Sequence, residues 1–524
     1  MTPTQNNSDR DKKTDELINN QKPVAGDEPA YEQIFKDLQG GVIKNYGRQY
    51  SLYIFIQFAE NKVNEVKEWI RDEIASSVTS TQKQLKDTQT YREKKQENPN
   101  YSGELCKNFF LSAEGYSSLG FDLDEPNDGV EIDDTLFQRG MNQDWKDKYE
   151  LDEPPDDYWY NPPEHWDFGG KDEDRVHALI LLAHDDLPEL KKEAKTATDK
   201  WEKLQLGKVV AYEAGYVLKE NRQTIGPFGF ADGISQPLFL KHDYERYREN
   251  NDITQWDPFA SLNLVLVKDP FGESYSYGSY CVFQKLETNY ELFEQKIGEL
   301  AETLGSDRQR AGALVVGRFK DGTPIALLDR PNQNGDRHSF NYADDNNGSK
   351  CPIHAHIRQV NPRHDDESQI EERRNNRIFR AGITYFNPPQ IGQKDSSIWQ
   401  QYSNQLDYFH EVNQQSLTKN IASISGLLFV CFQKSISEQF SQLQREWADD
   451  SRFPREREDG ENKYLDPVIG HRFNRNRQKR SPDPQEWQKK WNGEQSANYL
   501  FDGCIQEKGG EFFFMPSISF LKNL

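Results

Sequence analysis

The apolar residues of this chain fall into short blocks between long polar stretches, and their spacing separates two kinds of element. Residues 51–58, with Leu52, Tyr53, Ile54, Phe55 and Ile56 in unbroken succession, have the length and continuity of a buried strand. Directly afterwards Val63, Val66, Trp69, Ile70 and Ile74 bring apolar residues three to four apart, the period of a helix with one buried face. Two more strands are predicted at 176–183 and 209–218, with a helix near 186–205 between them. The second half repeats the style. It has strands at 262–267, 281–286 and 427–431, helices at 289–304 and 436–447, and a last strand at 509–514. Such strand and helix units suit an α+β fold with helices on one face of the sheet.

The polar stretches carry their own expectations. Residues 1–30 are almost free of apolar side chains and are expected to form a disordered tail. Residues 446–495, broken by Pro454, Pro467 and Pro482, read as an ordered but irregular excursion. Between Asp122 and Asp174 stand 19 acidic residues against Arg139, Lys146, Lys148 and Lys171. A solvated loop is the expectation there, since no ligand spacing of a calcium loop is present. The five Arg and Lys residues within 472–480 are likewise read as solvated loop rather than a nucleic-acid patch.

Composition narrows the function. A net charge of −22 opposes general binding to nucleic acid or to an anionic membrane. The longest apolar runs, such as 178–183, are far too short to span a bilayer. The five cysteines (Cys106, Cys281, Cys351, Cys431, Cys504) are scattered, odd in number and without a paired spacing. They read as reduced thiols of a cytoplasmic protein rather than a disulfide or metal-thiolate framework. The opening residues lack the basic-then-apolar pattern of a secretory signal.

Candidate chemistry lies in two places. Gly229-Phe230-Ala231-Asp232-Gly233 sets one acid between glycines, with Phe228, Phe230 and Ile234 around it. Glycines let a ligand approach the backbone closely. A poorly solvated acid tends towards a raised pKa, useful for proton transfer. The plain alternative is a turn in which the aspartate bonds its own backbone. The second place holds Cys351, His354, His356, Arg358, Asn361 and Arg363, and Arg380 follows His356 by 24 residues. A histidine among small and apolar neighbours suits an axial haem ligand, and a fixed guanidinium stabilises charge developing on bound oxygen.

These segments resemble the dye-decolorising peroxidase family, whose signature is Gly-x-x-Asp-Gly, then Ala-His-Ile-Arg with Asn-Pro-Arg, then an Ile-Leu-Arg-like segment. Further similar stretches include Leu38 to Ile43, Phe137 to Met141, Val316 to Pro324, Gly426 to Gln433 and Phe512 to Ser517, in the family's order from about residue 36 onwards. The resemblance implies two ferredoxin-like domains of the dimeric α+β barrel type, at 31–222 and 223–524, with the acidic stretch (about 120–175) inserted in the first. It implies haem b between them, mainly in the C-terminal half. His356 would be the proximal iron ligand, Asp232 the acid–base residue and Arg380 its distal partner. Gly229, Phe230, Ala231 and Gly233 would line the cofactor, and Arg363 would pair with a propionate, with Arg358 as the alternative. The implied activity is reduction of hydrogen peroxide through a ferryl intermediate, with oxidation of dyes, phenolics or other aromatic reductants. Phe379 and Ala381 depart from the leucine and second arginine of the pattern. Tyr385 is the candidate for electron transfer at the surface, and His354 is expected at the surface or beside a propionate.

Two other readings stay open at this point. One is a haem-binding or haem-delivery protein with incidental peroxidase activity. The other is a non-haem metal hydrolase in which His354 and His356 share one face of a strand and chelate a metal.

Overall fold

In the computed structural model the long apolar run near residue 50 becomes the first of eight strands that close into an antiparallel barrel. Residues 13–124, 134–150, 158–220, 223–333, 335–363, 375–386, 403, 406–407, 425–453, 463–471 and 483–524 are described. The first half supplies β1 (Tyr50–Phe58), β2 (Cys106–Leu111), β3 (Ala178–His184) and β4 (Gly207–Tyr216), side by side in the order β2-β3-β1-β4. The second half supplies β5 (Tyr277–Thr288), β6 (Ile383–Tyr385), β7 (Gly426–Gln433) and β8 (Ile505–Met515), in the order β6-β7-β5-β8. Numbered within its own half, each quartet reads 2-3-1-4, so the barrel is two ferredoxin-like sheets joined edge to edge.

The two joints are short. Thr384 opposite Tyr216 is the paired position between β6 and β4, and Phe514 opposite Leu111 that between β8 and β2. Within a half the ladders are long, as from Ile505–Thr288 to Met515–Ser279. Side chains hold the halves together instead. Tyr53, Phe55 and Phe110 point inward and meet Phe283 and Phe513 across the barrel, with Phe55 and Phe283 centroids 4.9 Å apart. Alternate residues Leu52, Ile54 and Ile56 point outward. They belong to the same core as Val66 and Trp69 of α1 (Val63–Trp69) and Leu190, Ala194 and Trp201 of α2 (Leu187–Leu204). Helix α2 starts where the Asp186 carboxylate accepts the Glu189 N–H, with Pro188 in its first turn, and stops at Gln205 in the left-handed region.

A third core lies beyond the barrel and positions the site. It contains α3 (Tyr290–Leu304), capped by Asn289, and α4 (Arg308–Val316), which ends at Gly317 with φ of 93°. A Cβ on Gly317 would lie 2.4 Å from Ile357 of α5 (His356–Val360), so glycine is needed both for the backbone angle and for the approach of α5.

Several expectations are corrected. The mostly apolar run 262–267 forms a 3-10 turn (Leu262–Leu264) and a two-residue strand (Val267–Lys268), because the burial of Leu262, Leu264, Val265 and Leu266 is satisfied without strand geometry. Residues 436–447 wind as π-helical turns, Ile436–Phe440 and Gln442–Ala448. Residues 13–30 are ordered. Ile18 and Val24 are buried, and the Val24 N–H and C=O bond Phe239 and Lys241, so two anchors suffice where composition predicts disorder. Residues 1–12 and the basic cluster at 472–480 lie outside the described residues. The acidic stretch is partly structural. Asp134 is buried, accepting the N–H groups of Leu136, Phe137, Ile436 and Ser437, and Asp144 is buried between Lys148 and Arg445. No helix among the described residues is long and apolar enough to cross a membrane.

Candidate active site

A cavity of about 550 Å³ is lined by the loop around Asp232, the start of α5, the strands β6 and β7 and the segment around Val468. His356, the first residue of α5, faces it. The His356 Nδ1 lies 2.9 Å from Oδ2 of Asp466, whose side chain is wholly buried. The other oxygen of Asp466 accepts the N–H groups of Val468 and Ile469 at 2.8 and 3.0 Å. A carboxylate so fixed demands a proton on Nδ1, which leaves the Nε2 lone pair of the neutral ring for a metal.

Asp232 and Arg380 line the same cavity but are held loosely. Asp232 Oδ1 accepts the Gly233 N–H at 2.6 Å and stands 3.9 Å from Arg380 Nη1. Their side chains are 40% and 39% exposed. The backbone around them is firmer. The Asp232 N–H donates to Thr224, the Arg380 guanidinium donates to the Ile234 carbonyl at 2.9 Å, and Gln236 and Asn45 both donate to the Arg380 carbonyl. Gly229 and Gly233, at φ of 78° and 76°, shape the loop. The apolar shielding expected of Asp232 is incomplete: Phe228, Phe230 and Ile234 line the same cavity, but Phe228 and Phe230 are also anchored in the third core, where Phe228 stacks on Phe293 at 4.1 Å, and part of the Asp232 side chain stays exposed. Phe230, Ala231 and Gly233 line the cavity, whereas Gly229 acts as a turn residue behind it.

Residues 37–214 match the DyP dimeric α+β barrel domain, and residues 258–476 match the C-terminal domain of Dyp-type peroxidases. The chain belongs to the dye-decolorising peroxidase family. It is 34% identical to the crystallised DyP-type peroxidase of Anabaena sp., over 97% of this chain and 98% of that one, with a TM-score of 0.78. The structure of DyP2 from Amycolatopsis sp. superposes with a TM-score of 0.76 over 96% and 99% of the two chains, at 28% identity. By sequence, the multifunctional dye peroxidase DyP2 is 38% identical over 332 residues, 60% of this chain and 64% of DyP2.

The remaining site expectations of this DyP-type chain divide. Arg363 is buried, stacked 4.0 Å from the Phe340 ring, and donates to the carbonyls of His338 and Phe340 and to Ser235 Oγ. Arg318, in the cavity wall, donates to the carbonyls of Gly322 and Arg337 and lies 3.4 Å from the same Ser235 oxygen. Among the described residues neither arginine pairs with a carboxylate. Burial first, and repulsion from Arg318 second, push the Arg363 guanidinium down to about 9. Arg358 is removed from the propionate candidates, since Asp345 (3.0 Å) and the Cys351 carbonyl already occupy it.

His354 is neither on the surface nor able to chelate with His356. Its ring is buried edge-on against Trp487 at 4.3 Å, and burial pushes its pKa down to about 3. The segment is a turn leading into α5, so the two rings do not share a strand face, and no metal-binding group of three His, Cys, Asp or Glu exists among the described residues. Tyr385 is also not at the surface. It lies fully buried in the barrel, with Lys285 Nζ 5.3 Å from its ring centre and no hydrogen-bond partner for its hydroxyl. Sequence reasoning missed Asp466 and Arg318. A lone acid between Leu465 and Pro467 was the available signal for the first, and the Val-Gly-Arg-Phe segment for the second.

Proposed function

We propose that the protein is a haem peroxidase, reducing hydrogen peroxide and oxidising dyes, phenolics or other aromatic reductants, with haem b bound at His356. The observation that carries this reading is one cavity lined both by a carboxylate-oriented imidazole and by an aspartate beside an arginine. The donor set fits haem. His356 Nε2 is free for an axial bond, and the buried Arg318 guanidinium in the cavity wall, without a carboxylate partner, suits a propionate, with Arg363 behind it on the same Ser235 oxygen. The cavity volume of about 550 Å³ lies within the range of small-molecule sites, ~300–1,000 Å³. When bound, the haem would receive the two oxidising equivalents of the peroxide.

The chain's own groups supply the proton chemistry. Asp232, as carboxylate, takes the proton from one peroxide oxygen and returns it to the other, so that the departing oxygen leaves as water. Its partial exposure and single backbone hydrogen bond let it turn between the two positions. Acid–base assistance of this kind contributes ~10²–10⁴ in rate. Arg380, pinned to the Ile234 carbonyl with other N–H groups left over, offsets the negative charge gathering on the oxygens, an effect of ~10²–10³. Asp466 does no proton transfer in this scheme; it holds the imidazole in one tautomer.

Simple haem carriage needs neither Asp232 nor Arg380. Five buried free cysteines fit a reducing, cytoplasmic setting. The test is the absorption spectrum of the haem-loaded protein before and after one equivalent of hydrogen peroxide. Prompt conversion of the Soret band supports the peroxidase, an inert band favours carriage, and failure to take up haem contradicts both.

A further inference from the structure

The cavity at His356 does not stop at the wall formed by Asp232 and Arg380. It runs past Arg380, Ala381 and Ile383 to the inner face of the barrel, where Ser51, Tyr53, Leu181 and Phe432 line it. The proton chemistry at Asp232 makes no use of this second lobe. Ala381 stands at the junction, lining the cavity and packing against the barrel core. The family pattern has a second arginine at that position, and the single methyl group of this chain leaves the passage open.

The first half of the chain closes the lobe with two polar groups. The Arg48 side chain is only 7% exposed; its Nε donates to the Glu104 carbonyl at 3.1 Å, and its guanidinium lies 5.4 Å from the centre of the Tyr91 ring. The carboxylate in reach, Asp185, stands 4.0 Å from Nη1 and already accepts the N–H groups of Gln49 and Gly103. A Cβ on Gly103 would lie 2.4 Å from Arg48 Cζ, so residue 103 must be glycine for the guanidinium to sit there. Beside it the Tyr46 hydroxyl is buried with no hydrogen-bond partner among the described residues, and burial pushes the phenol well above its usual pKa, which keeps it a donor. The loop that carries both residues is tied to the distal arginine, because Asn45 donates to the Arg380 carbonyl at 3.1 Å. A carboxylate accepts from a guanidinium and a phenol together, and walls of Tyr53, Leu181 and Phe432 suit an aromatic ring.

We propose that this lobe is a binding subsite for small aromatic carboxylates, with Arg48 and Tyr46 receiving the carboxylate, the inner barrel wall holding the ring and Ala381 keeping the passage to Arg380 open. The proposal rests on the peroxidase reading, under which such a ligand serves as reductant when it also carries a phenol. Two molecules of the phenolic acid then each give up one electron and the hydroxyl proton, one peroxide becomes two waters, and two phenoxyl radicals depart. A chain of net charge −22 repels anions at long range, so selection of an anionic reductant needs a cation placed inside the protein, as Arg48 is.

The test titrates the haem-loaded protein, without peroxide, with 4-hydroxybenzoate, its methyl ester and acetate, and reads binding by calorimetry. The expected result is that the acid binds about tenfold more tightly than the ester and that acetate binds far more weakly than either. R48L removes the preference for the acid over the ester, Y46F reduces it, and A381L, which leaves Arg48 in place and fills the passage without adding charge, weakens acid and ester alike. Equal binding of acid and ester by the unaltered protein, a preference that survives R48L, or A381L binding both ligands as before would overturn the proposal. Acetate binding as tightly as the acid would also overturn it, since the lobe would then hold any small anion. The peroxidase reading is judged separately, in the same preparation, by adding peroxide: a Soret band that ignores peroxide overturns that reading and the oxidation of the bound acid, while the calorimetric preference alone decides whether the subsite exists.

Discussion

His356 and Asp232 line the same cavity, yet their surroundings differ in almost every respect. The imidazole is bonded to a carboxylate with no exposed surface, and that carboxylate is itself fixed by two backbone N–H groups. The Asp232 carboxylate has one hydrogen bond, to the next residue, and an arginine 3.9 Å away, with two-fifths of its side chain exposed. A group that must present one lone pair along one direction gains from being locked before its ligand arrives. A group that must collect a proton at one oxygen and deliver it to another gains from freedom to turn. The rigidity is therefore spent on the ligand side, and the mobile side keeps only its backbone fixed.

The comparison breaks most easily at the mobile side. Asp232→Asn removes the base without changing size, so the peroxide-driven change of the haem band should slow by ~10²–10⁴. Rapid-mixing absorption measures it. Arg380→Leu should cost ~10²–10³ in the same experiment, because the charge stabiliser goes while the base remains. On the locked side, Asp466→Asn should weaken haem binding by ~10–100-fold, read from haem transfer to an acceptor protein.

A second contrast sharpens the first. His354 and His356 are two residues apart, but only His356 reaches the cavity. Burial holds the His354 pKa near about 3, while its unfolded value is 6.5. Below pH 6.5 the unfolded chain therefore takes up this proton before the folded one. Stability falls as pH drops from 6.5 towards about 3, with a slope of about 1.4 kcal/mol per pH unit from this group. His354→Phe should flatten the acid limb of the urea midpoint by about one proton; an unchanged slope would show that the ring is charged or exposed in the fold. The smallest effect is expected at Tyr385. Removing a buried hydroxyl that has no partner should leave Tm unchanged or slightly raised, worth about 1 kcal/mol at most. A clear drop in Tm would reveal a partner for that hydroxyl.

How much of this was legible in the sequence depended on whether the informative residues were contiguous. Asp232 with its glycines, and His356 in its Ala-His-Ile-Arg frame, each occupy a few adjacent positions and carry the site. Asp466 is 110 positions from His356, in a polar segment broken by prolines, and its one local signal, a lone acid between Leu465 and Pro467, does not say which residue it serves. The doubling into two ferredoxin-like halves was legible from the repeated style and the family resemblance, but the seam between them was not, because β6 has three residues and its pairing with β4 rests on one position. The run at 262–267 misled because a mostly apolar stretch marks burial and not strand geometry. Tyr385 misled for a related reason: a count from Arg380 cannot tell which way a short strand faces, and Ile383 and Tyr385 both face the core.

The division between a locked ligand side and a mobile proton side is tested most directly by measuring two quantities in two variants. Haem affinity and the rate of the peroxide-driven band change, per haem bound, are determined for D232N and D466N. The division requires D232N to keep haem and lose rate, and D466N to lose haem with a smaller loss of rate. A D232N protein that converts its haem band at the wild-type rate, or that sheds haem as readily as D466N, would contradict it.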